Sequence, residues 1–367
     1  MRLEVKVVGT TLKAPTDGDA SAHHLHYFID TDPAAVYGAG QPVPTGARNI
    51  IHTPETSLLL DLTPGAHTVW VVLTDNNHLP FDQSIQAKVS FTLTGTPARP
   101  GEQAPIVYQS LQDGRWRLFV MDGNGRNPRR ITTGAWNDVE PAWSADGSRV
   151  VFASDRDGRY HLYVMNPDGS GVQQLTRGAG QERNPVWAPS GDQIAFHSDR
   201  DGTRDQIFVV PAAGGEARQV TRGSEGGSQP TWSADGKQIA FVRQQGNESH
   251  IYTVDVEGGE TRRLTTAARR HIDPAWSPDG RRIAFAAFQD NRWNIFVMGI
   301  DGSGVQRVTS GDPQDRFPAW SPDGRQLVFA SGRDGQMQVF VLPLDSTQTR
   351  TLTEGLAHNW RPSWPRR

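Results

Sequence analysis

A Pro-x-Trp motif recurs six times in the second part of the chain, at a nearly constant spacing. Successive motifs stand 44, 45, 44, 44 and 44 residues apart, with their prolines at Pro141, Pro185, Pro230, Pro274, Pro318 and Pro362. A fixed period of this length is typical of proteins in which one supersecondary unit packs against copies of itself. The repeat therefore restricts this part of the chain to a repetitive array of small units.

Each repeat combines turn-forming residues with β-type runs. The tryptophan is followed by a turn such as Ser277-Pro278-Asp279-Gly280, in which the glycine accepts a positive φ. Apolar runs such as Ile283-Ala284-Phe285 and Ile295-Phe296-Val297-Met298 come next, and a short run such as Gln174-Leu175-Thr176 ends a unit. The 38 glycines and 25 prolines favour short strands and turns over long helices. Each unit is therefore predicted to form four antiparallel strands, the size of one propeller blade.

The two ends of the array predict how it closes. Residues 106–133 contain three strand-like runs with no Pro-x-Trp segment before them, and Pro362-Ser363-Trp364 ends the array without the rest of a unit. One C-terminal strand and three early strands make one complete blade, and this closure removes free sheet edges. The sequence therefore predicts an all-β fold with a six-bladed β-propeller over residues 103–367, its C-terminal strand closing the first blade.

The first 96 residues share none of this period. Their β-type runs, at 3–8, 24–29, 57–62, 67–73 and 85–93, are separated by segments rich in proline and glycine. This pattern predicts a small antiparallel β-sandwich domain over residues 1–96. Residues 97–102 are predicted to be a linker to the propeller.

Histidine is concentrated in the N-terminal segment. His24 and His26 are two residues apart, which on a strand places both imidazoles on the same face. With a third histidine from another strand, such a pair can bind Zn²⁺ or Cu²⁺. The candidate ligands are His24, His26, His67 and His78. The alternative is that these histidines form hydrogen bonds to nearby backbone or to side chains such as Asp30 and Asp75, without a metal.

Several classes of chemistry are not supported by the sequence. The chain has no cysteine, which excludes disulfides and thiolate sites, and its net charge of −3 provides no drive toward nucleic acid. It contains no Gly-x-Ser-x-Gly elbow before a helix, no phosphate-binding loop and no His-Glu-x-x-His motif. The Asp-Arg-Asp-Gly segments at 155–158 and 199–202 lack the ligands of a complete Ca²⁺ loop and are predicted to be turns, with their arginines paired to carboxylates. The repeated tryptophans are predicted to pack between blades.

Function is expected where the repeats differ from one another. Strand alternation places the loops before each Pro-x-Trp motif on the same face as the loops after the second strand, and this face is rich in Arg, Trp and carboxylates. The predicted partner-binding residues are Trp136, Glu140, Arg183, Asn184, His271, Asp273, Arg316, Phe317, Trp360 and Arg361. Arg and Trp are enriched in protein interfaces, so a protein or peptide partner is expected. The alternative is a lyase or hydrolase acting on a polyanionic saccharide, with His271 or His358 as the base.

The repeated segments Trp-Ser-Pro-Asp-Gly, Ser-Asp-Arg-Asp-Gly and Tyr-Val-Met-Asn-Pro-Asp-Gly resemble the Trp-Asp-like propeller repeats of the TolB family. The resemblance covers residues 103–367 and implies a protein-binding module, or a cap on a peptidase or a polysaccharide lyase. It also implies a periplasmic or extracellular location, although the segment Met1–Lys6 has no apolar run typical of a secretion signal. The stretches at 24–32, 51–56, 65–70 and 75–80 resemble a small bacterial extracytoplasmic domain family of unassigned function.

Overall fold

The computed structural model divides the chain into two compact units, Met1–Ala98 and Arg99–Arg367. It describes residues 104–366 except 203, 268, 311–313, 334 and 347. Before them it describes 2–4, 23–30, 33, 50–53, 57–59, 65–75 and 86–93. The predicted linker at 97–102 lies outside the described residues. Within this part of the chain every regular element is a strand, and no helix has the length and apolar character needed to cross a membrane.

The first unit contains two antiparallel sheets. Its strands are β1 (Arg2–Glu4), β2 (His23–Ile29), β3 (Ile50–Thr53), β4 (Ser57–Leu59), β5 (Gly65–Asp75) and β6 (Gln86–Leu93). One sheet has the order β3-β2-β5-β6, and β1 pairs with β4 in the other. Leu25, Tyr27 and Phe28 of β2 are buried, as are Val69 and Val72 of β5. The two sheets agree with a β-rich unit, and their packing as a sandwich stays a prediction.

The second unit repeats one strand pattern around six Pro-x-Trp strands. These inner strands are β10 (Asp138–Trp143), β14 (Glu182–Trp187), β18 (Ser228–Trp232), β22 (Arg270–Trp276), β26 (Arg316–Trp320) and β30 (Asn359–Ser363). The second strands are β7 (Ile106–Gln112), β11 (Val150–Ser154), β15 (Gln193–Ser198), β19 (Gln238–Gln245), β23 (Arg282–Gln289) and β27 (Gln326–Ser331).

Two further strands complete each unit of the pattern. The third strands are β8 (Arg115–Met121), β12 (His161–Met165), β16 (Gln206–Pro211), β20 (Glu248–Asp255), β24 (Arg292–Gly299) and β28 (Gln338–Pro343). The outer strands are β9 (Arg129–Arg130), β13 (Gln173–Gln174), β17 (Arg218–Gln219), β21 (Arg262–Arg263), β25 (Gln306–Arg307) and β29 (Arg350–Thr351). Consecutive strands within a unit pair antiparallel, which is the arrangement predicted from the alternating runs and turns.

The C-terminal strand pairs with the first strand of the propeller. β30 joins β7 antiparallel, with Asn359 opposite Ser110 and Ser363 opposite Val107, so one sheet has the order β30-β7-β8-β9. Each inner strand also packs against the next, and β30 packs against both β26 and β10. The six inner strands therefore form a closed ring, as the orphan Pro-x-Trp segment predicted.

The prediction of six separate blades is confirmed only in part. Four sheets are separate four-stranded blades, whereas β18 to β25 form one continuous eight-stranded sheet. The join is a single parallel pair, Ser249 on β20 with Arg270 on β22. Two hydrogen bonds hold these strands together: the Ser249 amide donates to the Arg269 carbonyl, and the Ser249 hydroxyl donates to the His271 carbonyl. The count of separate blades is therefore four rather than six.

The same hydrogen bond recurs in all six repeats and explains the Thr that ends each outer run. In each repeat the hydroxyl oxygen of this threonine accepts a hydrogen bond from a backbone amide of the third strand. The donor stands 14 residues earlier, at 2.9–3.0 Å. These threonines are Thr132, Thr176, Thr221, Thr265, Thr309 and Thr353. A short outer strand forms few ladder bonds, so this side-chain bond helps to hold it to its neighbour.

The repeated tryptophans pack between sheets, as predicted. The six Pro-x-Trp indoles are 1–7% exposed. Trp143 packs with Val107 and Leu118 of the preceding sheet, and Trp364 packs with Val328 and Val339. Burial of a large aromatic surface at every junction stabilises the closed ring.

Candidate functional site

A channel runs through the ring of inner strands and is the candidate functional site. In all six repeats, the residue before the proline, the proline itself and the residue after it line this channel. The residues before the prolines form a set that we call the mouth ring: Glu140, Asn184, Gln229, Asp273, Phe317 and Arg361. The cavity has a volume of about 160 Å³. This space suits a side chain or a chain end better than a folded element.

The mouth ring is built on an unusual backbone conformation. All six residues have left-handed φ values between 50° and 57°, although none is glycine. The pairing register of each inner strand shifts at the same place, which marks a β-bulge. A left-handed non-glycine residue costs about 1–3 kcal/mol, and such residues cluster at functional sites. The sequence pattern gave no signal for this conformation, because a residue before proline is expected to be extended.

Glu140 is the centre of one half of the mouth ring. Its carboxylate accepts two hydrogen bonds from the Arg183 guanidinium, at 3.0 and 2.9 Å, and one at 2.6 Å from the Asn184 amide. Arg361 lies 3.4 Å from the same carboxylate. Burial alone would raise the pKa of Glu140, but the Arg361 and Arg183 charges outweigh it and lower the pKa to about 2. Glu140 is therefore ionised and held rigidly.

Asp273 plays the matching role in the other half. Its carboxylate accepts a hydrogen bond from Arg316 Nε at 2.7 Å and one from Gln229 Nε2 at 2.7 Å. The Asp273 amide in turn donates to Gln229 Oε1 at 2.9 Å. The Phe317 amide lies 3.4 Å from the Asp273 carboxylate. Side chains of the mouth ring therefore fix the strained backbone of the next repeat, so the geometry is set before any partner binds.

Aromatic side chains form one wall of the mouth. The Arg361 guanidinium lies over the Phe317 ring at 4.3 Å, and Phe317 packs against Trp360 at 5.4 Å. Trp116 contacts Trp360 edge-to-face at 6.1 Å. Arg316 lies between Phe317 and Trp293, at 4.7 and 4.5 Å from the two rings. These contacts hold the guanidinium groups in place against the aromatic rings.

The opposite end of the channel is spanned by an arginine that the sequence analysis did not single out. Arg366 follows β30, yet it donates to the Trp232 carbonyl at 3.0 Å and to the Thr231 hydroxyl at 2.8 Å on β18. These strands are three units apart in the ring, so the side chain crosses the channel. Burial lowers the pKa of Arg366 to about 10. The Arg366 side chain therefore narrows the channel at the end opposite the mouth ring.

The structure brings together seven of the ten predicted partner-binding residues around the mouth: Glu140, Arg183, Asn184, Asp273, Arg316, Phe317 and Arg361. Trp360 packs beside them. Trp136 lies farther out, beneath the Arg156 guanidinium at 4.9 Å. Gln229 completes the mouth ring and was missed, although it occupies the same position before a Pro-x-Trp motif as the others.

His271 lies away from the channel lining. Its ring packs against His250 at 5.6 Å and Phe285 at 5.7 Å, and its Nδ1 lies 3.2 Å from the Ser249 carbonyl. Burial lowers the pKa of His271 to about 4. Nδ1 of His358, the other predicted base, accepts the Met337 amide hydrogen at 3.4 Å. Both histidines contact the backbone of their own or a neighbouring unit.

The predicted metal ligands lie mostly outside the described residues. His26 is fully buried, and its register partners are His52 on β3 and Val72 on β5. The side chains of His24 and His67, and all of His78, are outside the described residues. The side chains that are described contain no group of three metal-ligating residues. A Zn²⁺ or Cu²⁺ site in this unit therefore stays a prediction.

A closed ring of Pro-x-Trp strands around a lined channel defines the second unit as a β-propeller. A family model described as the TolB beta propeller domain matches residues 83–176, 157–272 and 229–367. The chain therefore belongs to the TolB β-propeller family. Curated protein sequences gave no match.

Solved structures with the same fold include both TolB proteins and an enzyme. TolB from Acinetobacter baumannii has a TM-score of 0.65 at 19% identity, covering 83% of this chain and 81% of that chain. A putative TolB from Agrobacterium tumefaciens has a TM-score of 0.58 at 22% identity, covering 71% and 98%. Kuenenia stuttgartiensis hydrazine synthase has a TM-score of 0.61 at 15% identity, covering 74% and 50%. At these identities the likeness shows the fold alone.

Proposed function

We propose that this chain is a non-enzymatic binding protein that presents the mouth ring and its aromatic wall to a protein or peptide partner. The observation that carries this proposal is the mouth ring itself. One strained backbone conformation is kept at all six positions, while the side chain differs at every one: Glu, Asn, Gln, Asp, Phe and Arg. If these six positions served only to close the ring, the same residue type could occupy all of them. The variation therefore supports a surface adapted to one partner.

The composition of the surface supports a macromolecular partner. Arg183, Arg316 and Arg361 keep 23–35% of their side-chain surface exposed while their guanidinium groups are positioned by carboxylates or aromatic rings. Side chains held in place before binding lose little conformational entropy when a partner docks. Arg and aromatic residues are also the types that carry most binding energy in protein interfaces.

The proposal includes a six-bladed propeller. Treating the eight-stranded sheet as two blades joined by the Ser249–Arg270 pair gives six blades, one for each inner strand. It also includes a location outside the cytoplasm, in the periplasm or the extracellular space, supported by membership of the TolB propeller family.

The alternative proposal is a lyase or hydrolase that acts on a polyanionic saccharide at this face. His271 and His358 were the predicted bases, and neither belongs to the channel lining. Metal binding by the N-terminal histidines is a separate proposal. Its test is metal analysis of protein purified without chelators, with a stoichiometric metal that is lost in a His24→Ala/His26→Ala variant as the supporting result.

Partner capture by a mouth variant tests the proposed function. In this variant Arg183, Arg316 and Arg361 become alanine, while Glu140→Gln and Asp273→Asn prevent buried carboxylates from losing their partners. The matched control replaces three exposed cations in equivalent turns at the other ends of the inner strands: Lys237, Arg281 and Arg325. We expect the mouth variant to lose the partners captured by wild-type protein and the control to keep them. Equal capture by both variants would contradict the proposal.

A further inference from the structure

Arg361 is the least satisfied charged group of the mouth. A guanidinium carries five N–H donors. Among the described residues, the Arg361 side chain makes one ion pair, 3.4 Å from Glu140 Oε1, and stacks on the Phe317 ring at 4.3 Å. No hydrogen bond from its guanidinium to a described residue is present. The side chain is 23% exposed, so an incoming group can reach these donors.

The two carboxylates of the mouth are already bound by the other arginines. Arg183 donates hydrogen bonds to both carboxylate oxygens of Glu140, and Arg316 donates one to Asp273 at 2.7 Å. Three guanidinium groups share these two carboxylates, and the Asp205 carboxylate, 3.7 Å from His197, also attracts Arg183. An incoming carboxylate would give the Arg361 guanidinium the hydrogen bonds that it lacks.

A second unsatisfied donor lies beside this arginine. Nε1 of Trp360 is buried and has no hydrogen-bond partner among the described residues. Trp360 also packs on Phe317, the ring that Arg361 covers. The local surroundings thus combine unused N–H donors with an aromatic wall. A carboxylate attached to an apolar side chain would match both features.

The shape of the channel indicates which carboxylate fits. Arg366 spans the far end by bonding to Thr231 and Trp232, and the cavity between the ends measures about 160 Å³. A chain terminus can enter such a narrow opening from the mouth. An acidic side chain in the middle of a peptide would also require the chain on both sides of it to leave across the mouth ring.

We propose that Arg361, with Phe317 and Trp360, forms a receptor for the C-terminal carboxylate of a peptide chain whose last residue is aromatic. The proposal rests on the proposed function, because it names the part of the partner that the mouth recognises. Arg361 supplies paired N–H donors to the carboxylate oxygens, and Phe317 and Trp360 contact the terminal ring.

Peptide binding measured by calorimetry tests this receptor. The probe is acetyl-Ala-Ala-Phe with a free carboxylate, compared with the same peptide as its C-terminal amide and with acetyl-Ala-Asp-Phe amide, which carries only an internal carboxylate. We expect the free acid to bind and both amides to bind roughly tenfold more weakly or worse, which is the range for loss of a charged hydrogen bond. Equal binding of the free acid and either amide would overturn the assignment.

Variants of Arg361 locate the site. Arg361→Gln should weaken binding of the free acid by about tenfold or more, and Arg361→Lys should restore part of it, because the charge returns without the planar donor pair. Arg325→Gln, an exposed arginine at the other end of the inner strands, is the matched control and should bind like wild type. Thermal melting of each variant checks that it is folded. Unchanged binding by Arg361→Gln would overturn the proposal.

The outcomes separate this inference from the proposed function. If the mouth variant loses its partners while no peptide acid binds, the proposed function is supported and the carboxylate receptor is wrong. If the peptide acid binds through Arg361 while partner capture is unaffected by the mouth variant, the receptor stands and the proposed function is wrong.

Discussion

Arginine–carboxylate pairs occur in two layers of the propeller, and they differ in one respect. In the blades, the pairs Arg156–Asp138, Arg200–Glu182 and Arg333–Asp315 recur at the same spacing of 18 residues. In each of these, a serine hydroxyl also accepts from the arginine Nε. We call these three sets the blade latches. At the mouth, the pairs Arg183–Glu140 and Arg316–Asp273 share a spacing of 43 residues, but the other four mouth-ring positions hold no carboxylate.

The difference distinguishes residues that hold the fold from residues that we propose bind a partner. The carboxylates of the blade latches are fully buried, and their arginines lie over a ring of the third strand, as Arg333 does over Phe340 at 4.6 Å. Three units use this contact, which attaches the inner strand to the strands outside it. The mouth pairs occur in two units, and the mouth ring carries a different residue in every repeat. The variable layer is therefore where function is expected.

Removal of a blade-latch carboxylate should have the largest effect on stability. Glu182 contacts Arg200, the Thr176 hydroxyl and His161, which lies 3.1 Å away. Glu182→Ala leaves these groups without their partner, and we expect the free energy of unfolding to fall by about 3–5 kcal/mol. Urea unfolding provides the measurement.

The control for this prediction is an exposed pair of the same chemistry. Arg218 and Glu257 lie 3.6 Å apart, with 41% and 83% of their side chains exposed. Glu257→Ala should change the free energy of unfolding by less than about 1 kcal/mol. A similar decrease in the free energy of unfolding for Glu182→Ala and Glu257→Ala would contradict a structural role for the blade latches.

Acid should remove the stabilisation that the Glu140 carboxylate provides. The pKa of Glu140 is lowered from 4.5 to about 2, so the folded state binds this proton less readily than the unfolded state. Its contribution to stability is complete above pH 4.5 and is lost as the pH falls toward 2, on the order of 3 kcal/mol in all.

The Glu140 prediction is checked by unfolding free energies measured between pH 6 and pH 2. Glu140→Gln should flatten the acid limb of the curve, because the substituted side chain takes up no proton. Glu257→Gln, at an exposed site, should retain the wild-type slope. An unaltered slope in Glu140→Gln would show that the mouth ion pairs contribute nothing to stability.

The smallest expected effect concerns the backbone of the mouth ring. Asn184 has a φ of 50°, which alanine tolerates less well than asparagine or glycine. Asn184→Ala should lower the free energy of unfolding by about 1 kcal/mol, whereas Asn184→Gly should change it by less than about 0.5 kcal/mol. A larger loss for glycine than for alanine would contradict a left-handed conformation at this position.

The repeat in the sequence predicted the strands, the inner position of each tryptophan and the closure by β30, because all three follow from hydrophobic alternation and turn chemistry. The same reasoning could not predict the join between β20 and β22, which depends on the Ser249–Arg270 contact between two units. It also gave no signal for Arg366, whose side-chain direction across the channel is set only after the ring closes.

Part of the candidate site could also be predicted from the repeat. Seven of its residues were found because they lie beside the variable loops before Pro-x-Trp. Gln229 was missed because a lone glutamine carries no chemical signal, although its repeat position was available. His271 was included on its loop position, whereas the structure buries its ring between His250 and Phe285.

Site-specific photo-cross-linking tests the central claim that the mouth face is the docking face. A benzophenone side chain replaces Leu356, which is 91% exposed in the loop leading to β30, or Lys237, which lies in a turn at the other end of the inner strands. The account predicts a partner cross-linked from position 356 and none from position 237, with the cross-link lost in the mouth variant. A partner cross-linked only from position 237 would contradict it.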